Sequence, residues 1–253
     1  MKNCIKTLLI LISCMLYSCY GTDDDTPLAI YCNGNCNTIS GRIYTENNVG
    51  VANVLVLFSY HVSGIGVNYT RLIAKTRTDA NGYYTIEGYV KNNELGSGTF
   101  SIVIDKQKLE TSLSADFFKP SDLVSGYPSV NEYLIPNLHD RSPIMNLDYK
   151  IPFKTTQTIH LTDFNPIAAN DYFGVGNRIK YGFDSEFSST FFTKQGGNGF
   201  GYADGVNSTI ILAAVFGVNE LKVVKIKNNA VEEADETIAI GNPNPNVALS
   251  YSY

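Results

Sequence analysis

Short runs of alternating polar and apolar residues, separated by turn residues, recur along most of this chain. The clearest run follows Thr78-Asp79-Ala80-Asn81-Gly82, where Gly82 can adopt the positive φ that a tight hairpin turn needs. Beyond that turn Tyr84 and Ile86 share one face, and the residues predicted to face outward are Tyr83, Thr85, Glu87 and Tyr89. Helical periodicity is rare, and 17 Tyr and 13 Phe favour strands. The pattern predicts an all-β fold.

The N-terminus has the pattern of an export signal. Basic residues precede an apolar stretch from about Thr7 to Leu16, which is too short to cross a hydrocarbon core of about 30 Å as a helix. It ends in Leu16-Tyr17-Ser18-Cys19, which resembles the signal of bacterial lipoproteins. The resemblance implies that residues 1–18 are a cleaved signal peptide and that Cys19 carries the acyl chains that anchor the protein.

A polar segment follows the lipid cysteine. The acidic run Asp23-Asp24-Asp25 resembles the export signal that sends Bacteroidetes-type lipoproteins to the outer face of the outer membrane. Residues 19–38 are rich in Asn, Gly and Asp and show no periodicity, so they are predicted to form a flexible lipidated tether. The expected location is the outer membrane, lipid-anchored and facing the cell exterior.

The net charge restricts the partners of the chain. It is −5 for the full sequence, and cleavage after Ser18 lowers it to −7 because two lysines and no acidic residue are removed. Nucleic acid is excluded as an expected partner, since binding it requires a basic surface. Membrane contact is expected through the lipid on Cys19 alone.

Two cysteines remain in the mature chain beyond Cys19. They lie in Cys32-Asn33-Gly34-Asn35-Cys36, a spacing that allows a small disulfide loop in an oxidising compartment. A metal site is the alternative, but it would need two further ligands, and no other His or Cys is nearby. The disulfide is the favoured interpretation.

Four segments carry a family resemblance. Ser40-Gly41-Arg42-Ile43, Val51-Ala52-Asn53-Val54-Leu55-Val56, Thr78 to Ile86 and Phe100 to Ile104 follow one another in the chain. Together they are similar to the carboxypeptidase regulatory-like domain, a small transthyretin-like β-sandwich. The resemblance implies such a sandwich over residues 39–163. Its last strand is expected within residues 149–161, where Thr158-Ile159-His160-Leu161 alternates.

A second unit is expected over residues 164–253. The turn signal Lys227-Asn228-Asn229-Ala230 separates two runs of strand-forming residues there, and Tyr251 and Tyr253 alternate with serines at the C-terminus. The predicted fold is a second, immunoglobulin-like β-sandwich. The predicted strands are Arg178–Phe183, Phe187–Phe192, Thr209–Phe216, Leu221–Lys227, Glu236–Ile240 and Val247–Tyr253.

No catalytic motif stands out. His61, His139 and His160 begin no zinc-binding motif, and no Gly-x-Ser-x-Gly segment is present. The Gly-rich segment from Gly196 to Gly201 lies between predicted strands and opens no helix, so a phosphate site is not expected there. The sequence predicts a protein without enzymatic activity or cofactor. A hydrolase with an unrecognised site stays open as a minor alternative.

The expected role is therefore binding. The candidate binding residues are the outward-facing aromatics Tyr83, Tyr89, Phe117 and Phe118, and the candidate loops span residues 106–144 and 194–206. The expected partner is an envelope protein or a glycan. The alternative is a structural accessory subunit of a cell-envelope complex, joined through exposed strand edges.

Overall fold

The computed structural model describes residues 35–123, 129–136, 138–141, 144–165, 171–183, 190–192, 201–202, 208–240 and 248–253. Within these ranges strands dominate, beside one α-helix, α1 (Lys106–Ser112), and one 3₁₀ turn (Pro120–Asp122). The strands, numbered β1 to β17 along the chain, form two pairs of facing sheets. The predicted all-β, sandwich-type fold is confirmed.

The first sandwich is built around β1. One sheet has the order β11-β8-β1-β4, with β7 also on β1, and the other has the order β3-β2-β5-β6. The strands of the first sheet are β1 (Asn37–Thr45), β4 (Tyr83–Gly88), β7 (Ile144–Asn146), β8 (Tyr149–Ile151) and β11 (Gly182–Phe183). Those of the second are β2 (Leu55–Gly64), β3 (Val67–Arg77), β5 (Thr99–Ile104) and β6 (Glu132–Pro136).

Alternation along these strands produces the core of the first sandwich. In β1 every second residue is buried, and in β4 the pattern is strictly alternating, with Tyr84 and Ile86 inside as predicted. These side chains meet Phe58, Phe100 and Ile102 from the opposite sheet in one apolar cluster. Burial of such side chains stabilises the fold by about 1.5–3 kcal/mol each.

In the second sandwich a three-stranded sheet faces a five-stranded one. The three-stranded sheet has the order β14-β9-β17, and the other has the order β12-β10-β15-β16 with β13 also on β10. The first comprises β14 (Ser208–Ala214), β9 (Thr155–Thr162) and β17 (Ala248–Ser252). The second comprises β10 (Tyr172–Lys180), β12 (Thr190–Phe192), β13 (Gly201–Tyr202), β15 (Gly217–Lys227) and β16 (Ala230–Ile240). Ile159 and Leu212 pack against Phe173 and Val223 in its core.

The turn chemistry follows the sequence at two hairpins. Asn228 and Asn229 have φ of 53° and 66° and join β15 to β16, as a two-residue hairpin requires. Gly82 has φ of 82°, and a Cβ at this position would lie 2.3 Å from the carbonyl oxygen of Ile43. Glycine is therefore required at position 82 for both conformation and space.

Two strands, β9 and β11, lie elsewhere than the sequence suggests. Thr158-Ile159-His160-Leu161 does not close the first sandwich, because it belongs to β9 and pairs with β14 and β17. Conversely, β11 lies beyond residue 163 in the chain, yet it pairs with β8 in the first sandwich. The last strand, β17, runs parallel to β9. The two sandwiches therefore do not divide at residue 163, as the sequence suggested. The sequence could not reveal this, because pairing between distant strands leaves no local signal.

The segment 106–144 contains a helix that the sequence reading missed. Asp105 caps α1, its carboxylate accepting a hydrogen bond from the N–H of Lys108 at 3.1 Å, and Leu109 is the buried residue of the helix. The 3₁₀ turn Pro120–Asp122 follows the helix in the same segment. The segment is thus ordered against the first core over its described part.

The signal peptide and most of the tether lie outside the described residues, and so do Cys19 and Cys32. Cys36 is described and is disulfide-bonded. Its pairing with Cys32 stays a prediction, as does the lipid on Cys19. Among the described residues no helix combines the length and the apolarity needed to span a membrane.

Replacing Phe183 tests whether β11 is part of the first core. Its fully buried ring packs edge-on against Tyr149, with centroids 5.0 Å apart. We expect Phe183→Ala to lower the free energy of unfolding by about 3–5 kcal/mol. Val231→Ala, at a side chain that is 61% exposed, serves as the control and should change it by less than about 0.5 kcal/mol. The measurement is urea unfolding of the full chain followed by circular dichroism, and equal midpoints for the two variants would contradict the assignment.

Candidate functional site

The four predicted binding residues do not form one site. Tyr83 begins β4 and is 54% exposed. Tyr89 lies beyond the other end of that strand, half-buried, with the guanidinium of Arg141 4.8 Å from its ring centre. Phe117 stacks on Phe153 with centroids 4.6 Å apart. Only Tyr83 presents a largely exposed ring.

The expectation that Phe118 faces outward is wrong. Its side chain is fully buried in the first core, and its carbonyl oxygen accepts a hydrogen bond from the Tyr181 hydroxyl at 3.4 Å. Of two consecutive aromatic residues, one turns into the core and the other lies at its margin. Sequence alone does not show which one is inside when the segment has no regular period.

An arginine between two tyrosines is the most distinctive feature near Tyr83. Arg42 lies on the outer face of β1, directly opposite Tyr83 on β4, and Tyr44 follows two residues later on the same face. The Arg42 guanidinium carbon is 5.0 Å from the ring centre of Tyr83 and 5.3 Å from that of Tyr44. These are cation–π distances, so the three side chains form one stack.

Two turns hold the Arg42 guanidinium in place. Nη1 and Nη2 donate to the side-chain and backbone oxygens of Asn48, at 2.6 and 3.0 Å, and Nε donates to the carbonyl of Asn81 at 2.9 Å. Asn48 itself has a positive φ of 65° in the turn that follows β1. The stack is therefore fixed before any ligand arrives, which lowers the entropic cost of binding.

The floor beneath the stack is closely packed. A Cβ on Gly41 would lie 2.0 Å from the carbonyl oxygen of Leu147. That carbonyl accepts a hydrogen bond from the Tyr84 hydroxyl at 2.7 Å. Burial, helped by the charge of Asp148, raises the pKa of Tyr84 above its ordinary value. Tyr84 therefore stays a neutral donor and supports the floor.

A shallow groove of about 400 Å³ runs over this floor. We call it the stack groove. Asp148 borders it and accepts a hydrogen bond from the backbone N–H of Arg42 at 2.9 Å. Its lining residues are Ser40, Gly41, Arg42, Tyr44, Asn48, Tyr83, Tyr84, Thr85, Asn146 and Asp148.

A second cavity of about 500 Å³ adjoins the first at Tyr44 and Asp148. It lies where the two sandwiches meet, and we call it the junction cavity. Its lining residues are Tyr44, Glu46, Asp148, Lys150, Pro152, Lys180, Tyr181, Gly182, Phe183, Val215, Phe216 and Val218. The Lys150 ammonium is 3.4 Å from the Glu46 carboxylate, a partly exposed ion pair.

Several polar groups around these cavities are available to a ligand. Within the described part of the chain, no hydrogen bond engages the hydroxyls of Tyr44 and Tyr83, and no acidic group pairs with Lys180. The two tyrosines combine an apolar ring with a polar tip, as residues at recognition surfaces often do. The arrangement can bind a ligand, but it places no nucleophile beside a base.

The nearest approach to a catalytic pair lies on the other sheet. His61 Nε2 is 2.9 Å from the Ser101 hydroxyl, and Nδ1 is 3.0 Å from the hydroxyl of Thr70. Ser101 is fully buried, and a hydroxyl stands where a catalytic triad has a carboxylate. We therefore assign this cluster to cross-strand hydrogen bonding. Among the described residues no group of three His, Cys, Asp or Glu side chains could hold a metal ion.

A buried ion pair fixes the end of the first sandwich near Tyr89. The Arg71 guanidinium donates to both carboxylate oxygens of Glu94 and to the carbonyl of Tyr89, and both charged side chains are less than a tenth exposed. Burial opposes ionisation of Glu94. The hydrogen bonds from Arg71 and from the N–H of Lys91, with the charge of Arg71, outweigh it and lower the pKa of Glu94.

No family model matches the chain, and no curated protein matches it. Among solved structures, the Bacillus anthracis TIE protein is 11% identical with a TM-score of 0.28, over 86% of this chain and 34% of that protein. A streptococcal ancillary pilin is 11% identical with a TM-score of 0.31, over 87% and 63%. The shaft pilin SpaA from Lactobacillus rhamnosus GG is 8% identical with a TM-score of 0.28, over 86% and 97%. At these scores the likeness does not bear on what this chain binds.

The sequence predicted Tyr83 as a binding residue but not the two residues that stack with it. Arg42 and Tyr44 lie two residues apart in an alternating segment, which is a signal that both face the same side of a strand. The contribution of Asp148 had no such signal, because it depends on the parallel pairing of β1 with β7 and β8.

The Arg71–Glu94 pair gives a pH-dependent prediction. We expect Glu94→Gln to lower the free energy of unfolding by about 3–5 kcal/mol at neutral pH, because it leaves the buried Arg71 unpaired. Because the pKa of Glu94 is lower in the folded state, ionised Glu94 stabilises the folded protein at pH values above its unfolded pKa of about 4.3. This stabilisation is lost as the pH falls through the folded-state pKa. The difference between wild type and variant should therefore shrink in urea titrations below pH of about 4.

Glu233→Gln is the matched control for this experiment. The Glu233 carboxylate pairs with Lys222 at 3.1 Å but is 54% exposed, so its loss should cost at most about 1 kcal/mol. A gap between wild type and Glu94→Gln that stays constant down to pH 3 would show that Glu94 does not titrate as described.

Proposed function

We propose that this protein is a non-catalytic, lipid-anchored β-sandwich protein that binds its ligand in the stack groove. The observation that carries the proposal is the Tyr44–Arg42–Tyr83 stack. It lies on an outer sheet face, is held by two turns and borders two adjoining cavities. Concave sites lined by aromatic rings and a few fixed polar groups are where proteins bind ligands.

The anchoring part of the proposal rests on the sequence. The Leu16-Tyr17-Ser18-Cys19 segment and the acidic run Asp23-Asp24-Asp25 support a lipid anchor at Cys19 and display on the outer face of the outer membrane. The order of the strand motifs supports a carboxypeptidase regulatory-like, transthyretin-like first sandwich. In such a protein the tether would hold the stack groove away from the membrane.

The second candidate function is that of a structural accessory subunit joined through strand edges. Among the described strands, β16 and β17 each pair on one side only. The edge strand β16 carries the acidic residues Glu232, Glu233 and Glu236, which discourage the addition of another strand. Other edge strands, including β3, β6, β14 and β17, carry no such run of acidic residues and are therefore the edges that this alternative would use.

The anchor is tested by replacing the lipid cysteine. Cys19→Ser should abolish metabolic labelling with palmitate and release the protein from the membrane fraction, because no thiol remains for acylation. Cys36→Ser removes a disulfide-bonded cysteine instead and should keep both properties. Palmitate labelling that survives Cys19→Ser would contradict the anchor. Protection of the tagged wild-type protein from protease on intact cells would contradict outward display.

The binding site is tested by crosslinking in intact cells, followed by purification through a tag and mass spectrometry. We expect a partner or ligand whose yield falls about tenfold in Tyr83→Ala, the size of effect expected of one aromatic contact at a binding site. Tyr69→Ala is the control, because Tyr69 is an exposed tyrosine (46%) on β3, in the other sheet of the same sandwich. If the yield of a crosslinked partner does not change in Tyr83→Ala, the interface lies outside the stack groove, and the accessory-subunit role is favoured.

A further inference from the structure

The two cavities share part of their lining. Tyr44 and Asp148 line both the stack groove and the junction cavity, whose volumes are about 400 and 500 Å³. Each volume alone is within the range of small-molecule sites, so an occupant of both would be larger than one compact metabolite. Such an occupant would pass Tyr44 and Asp148, which line both cavities.

The charges that line this space are of both signs. Arg42 and Asp148 both line the stack groove, and Lys150 lies beside Glu46 in the junction cavity. Neither cavity therefore presents a field that would favour a strongly anionic or cationic ligand. What the two cavities do present is a mixture of donors and acceptors, namely carboxylate, amide, hydroxyl and ammonium groups.

Apolar surface, much of it aromatic, accompanies these polar groups. Tyr83 offers a ring that is 54% exposed, and the junction cavity adds Phe216 and the largely exposed Val218. A sugar ring has an apolar C–H face that packs on an aromatic ring, and hydroxyls around its edge that both donate and accept hydrogen bonds. The site combines fixed rings, positive and negative charges that balance, and groups that donate or accept hydrogen bonds. This combination suits a sugar.

The backbone beneath the groove argues against an extended peptide. Peptides that bind along sheets add as a strand and need unpaired backbone groups. The floor strand β1 is paired with β4 on one side over Asn37 to Arg42, and with β7 and β8 on the other. Most of its N–H and C=O groups are used within the sheet, and the N–H of Arg42 donates to Asp148, so a peptide strand could add only at the free edge of β4 and not over the floor of the groove.

We propose that the stack groove and the junction cavity bind a neutral oligosaccharide. One sugar ring packs against Tyr83, and the chain continues past Tyr44 toward Lys180 and Phe216. Asp148, Asn48 and Asn146 contact the hydroxyls of the first ring. This inference rests on the proposed function, because it names the ligand class of the same site.

The test uses the full lipid-modified protein, purified in detergent. Isothermal calorimetry is run with neutral di- to hexasaccharides of glucose, galactose, mannose, xylose and N-acetylglucosamine. Uronic-acid oligomers and unstructured peptides of similar length form the comparison sets. We expect at least one neutral oligosaccharide to bind, and Tyr83→Ala to weaken it about tenfold. Tyr83→Phe, which keeps the ring, should weaken it less.

Two further variants separate the two cavities. Lys180→Ala should weaken binding of the longer oligosaccharides and leave a disaccharide in the stack groove unaffected. Tyr69→Ala should change neither. All variants alter exposed side chains, and unchanged thermal unfolding would show that they keep the fold.

Each outcome supports or overturns the inference. Failure of every neutral saccharide to bind at millimolar concentration would overturn it, as would tighter binding of the uronic-acid oligomers or of the peptides. Saccharide binding that resists Tyr83→Ala would also overturn it, because the site would lie elsewhere. If cellular crosslinking depends on Tyr83 while no saccharide binds, the proposed binding function stands and the ligand class falls. If saccharides bind through Tyr83 but no protein is crosslinked in cells, both proposals stand.

Discussion

The pairing of β11 with β8 is the contact on which the rest of the molecule depends. It places Tyr181 and Phe183 against Tyr149, with edge-on ring contacts at 5.7 and 5.0 Å, inside the first core. Such pairs contribute about 0.5–1.5 kcal/mol each beyond the area they bury. Burial raises the pKa of Tyr149 and Tyr181, so both remain neutral and donate to backbone carbonyls. Residues from the second half of the chain thereby complete the sheet of the first half.

Local features of this fold could be predicted because their causes are local. Alternation in β4 placed Tyr84 and Ile86 inside, and the Asn228–Asn229 and Asp79–Gly82 turns lie where their residue types indicate. The assignment of β9 and β11 to sheets failed for the opposite reason. Their partners are distant in sequence, and nothing in an apolar alternating segment says which sheet it joins. Helix α1 was missed because seven residues are too few to establish a helical period.

The same distinction applies to the site. Tyr83 could be predicted as an exposed aromatic residue from its own strand, whereas its role depends on Arg42, which is 41 residues earlier and lies opposite it by strand pairing. Phe118 was predicted to face outward because its segment has no period from which an inside face can be read. The hydrogen bonds from Arg42 to Asn48 and Asn81 connect two turns that are local features by themselves, but their convergence on one guanidinium is a property of the folded sheet.

The core and the candidate site are linked through three consecutive residues. Side chains in a strand alternate between faces, so Tyr149 points into the core while Asp148 and Lys150 point outward, into the stack groove and the junction cavity. A slip of β8 by one residue would expose Tyr149 and bury both charges, which is costly on both counts. The register is held by Ile43 on one side, and by Phe183 on the other, each directly opposite Tyr149. The contact that joins the two halves of the chain is therefore also what keeps Asp148 and Lys150 at the ligand site.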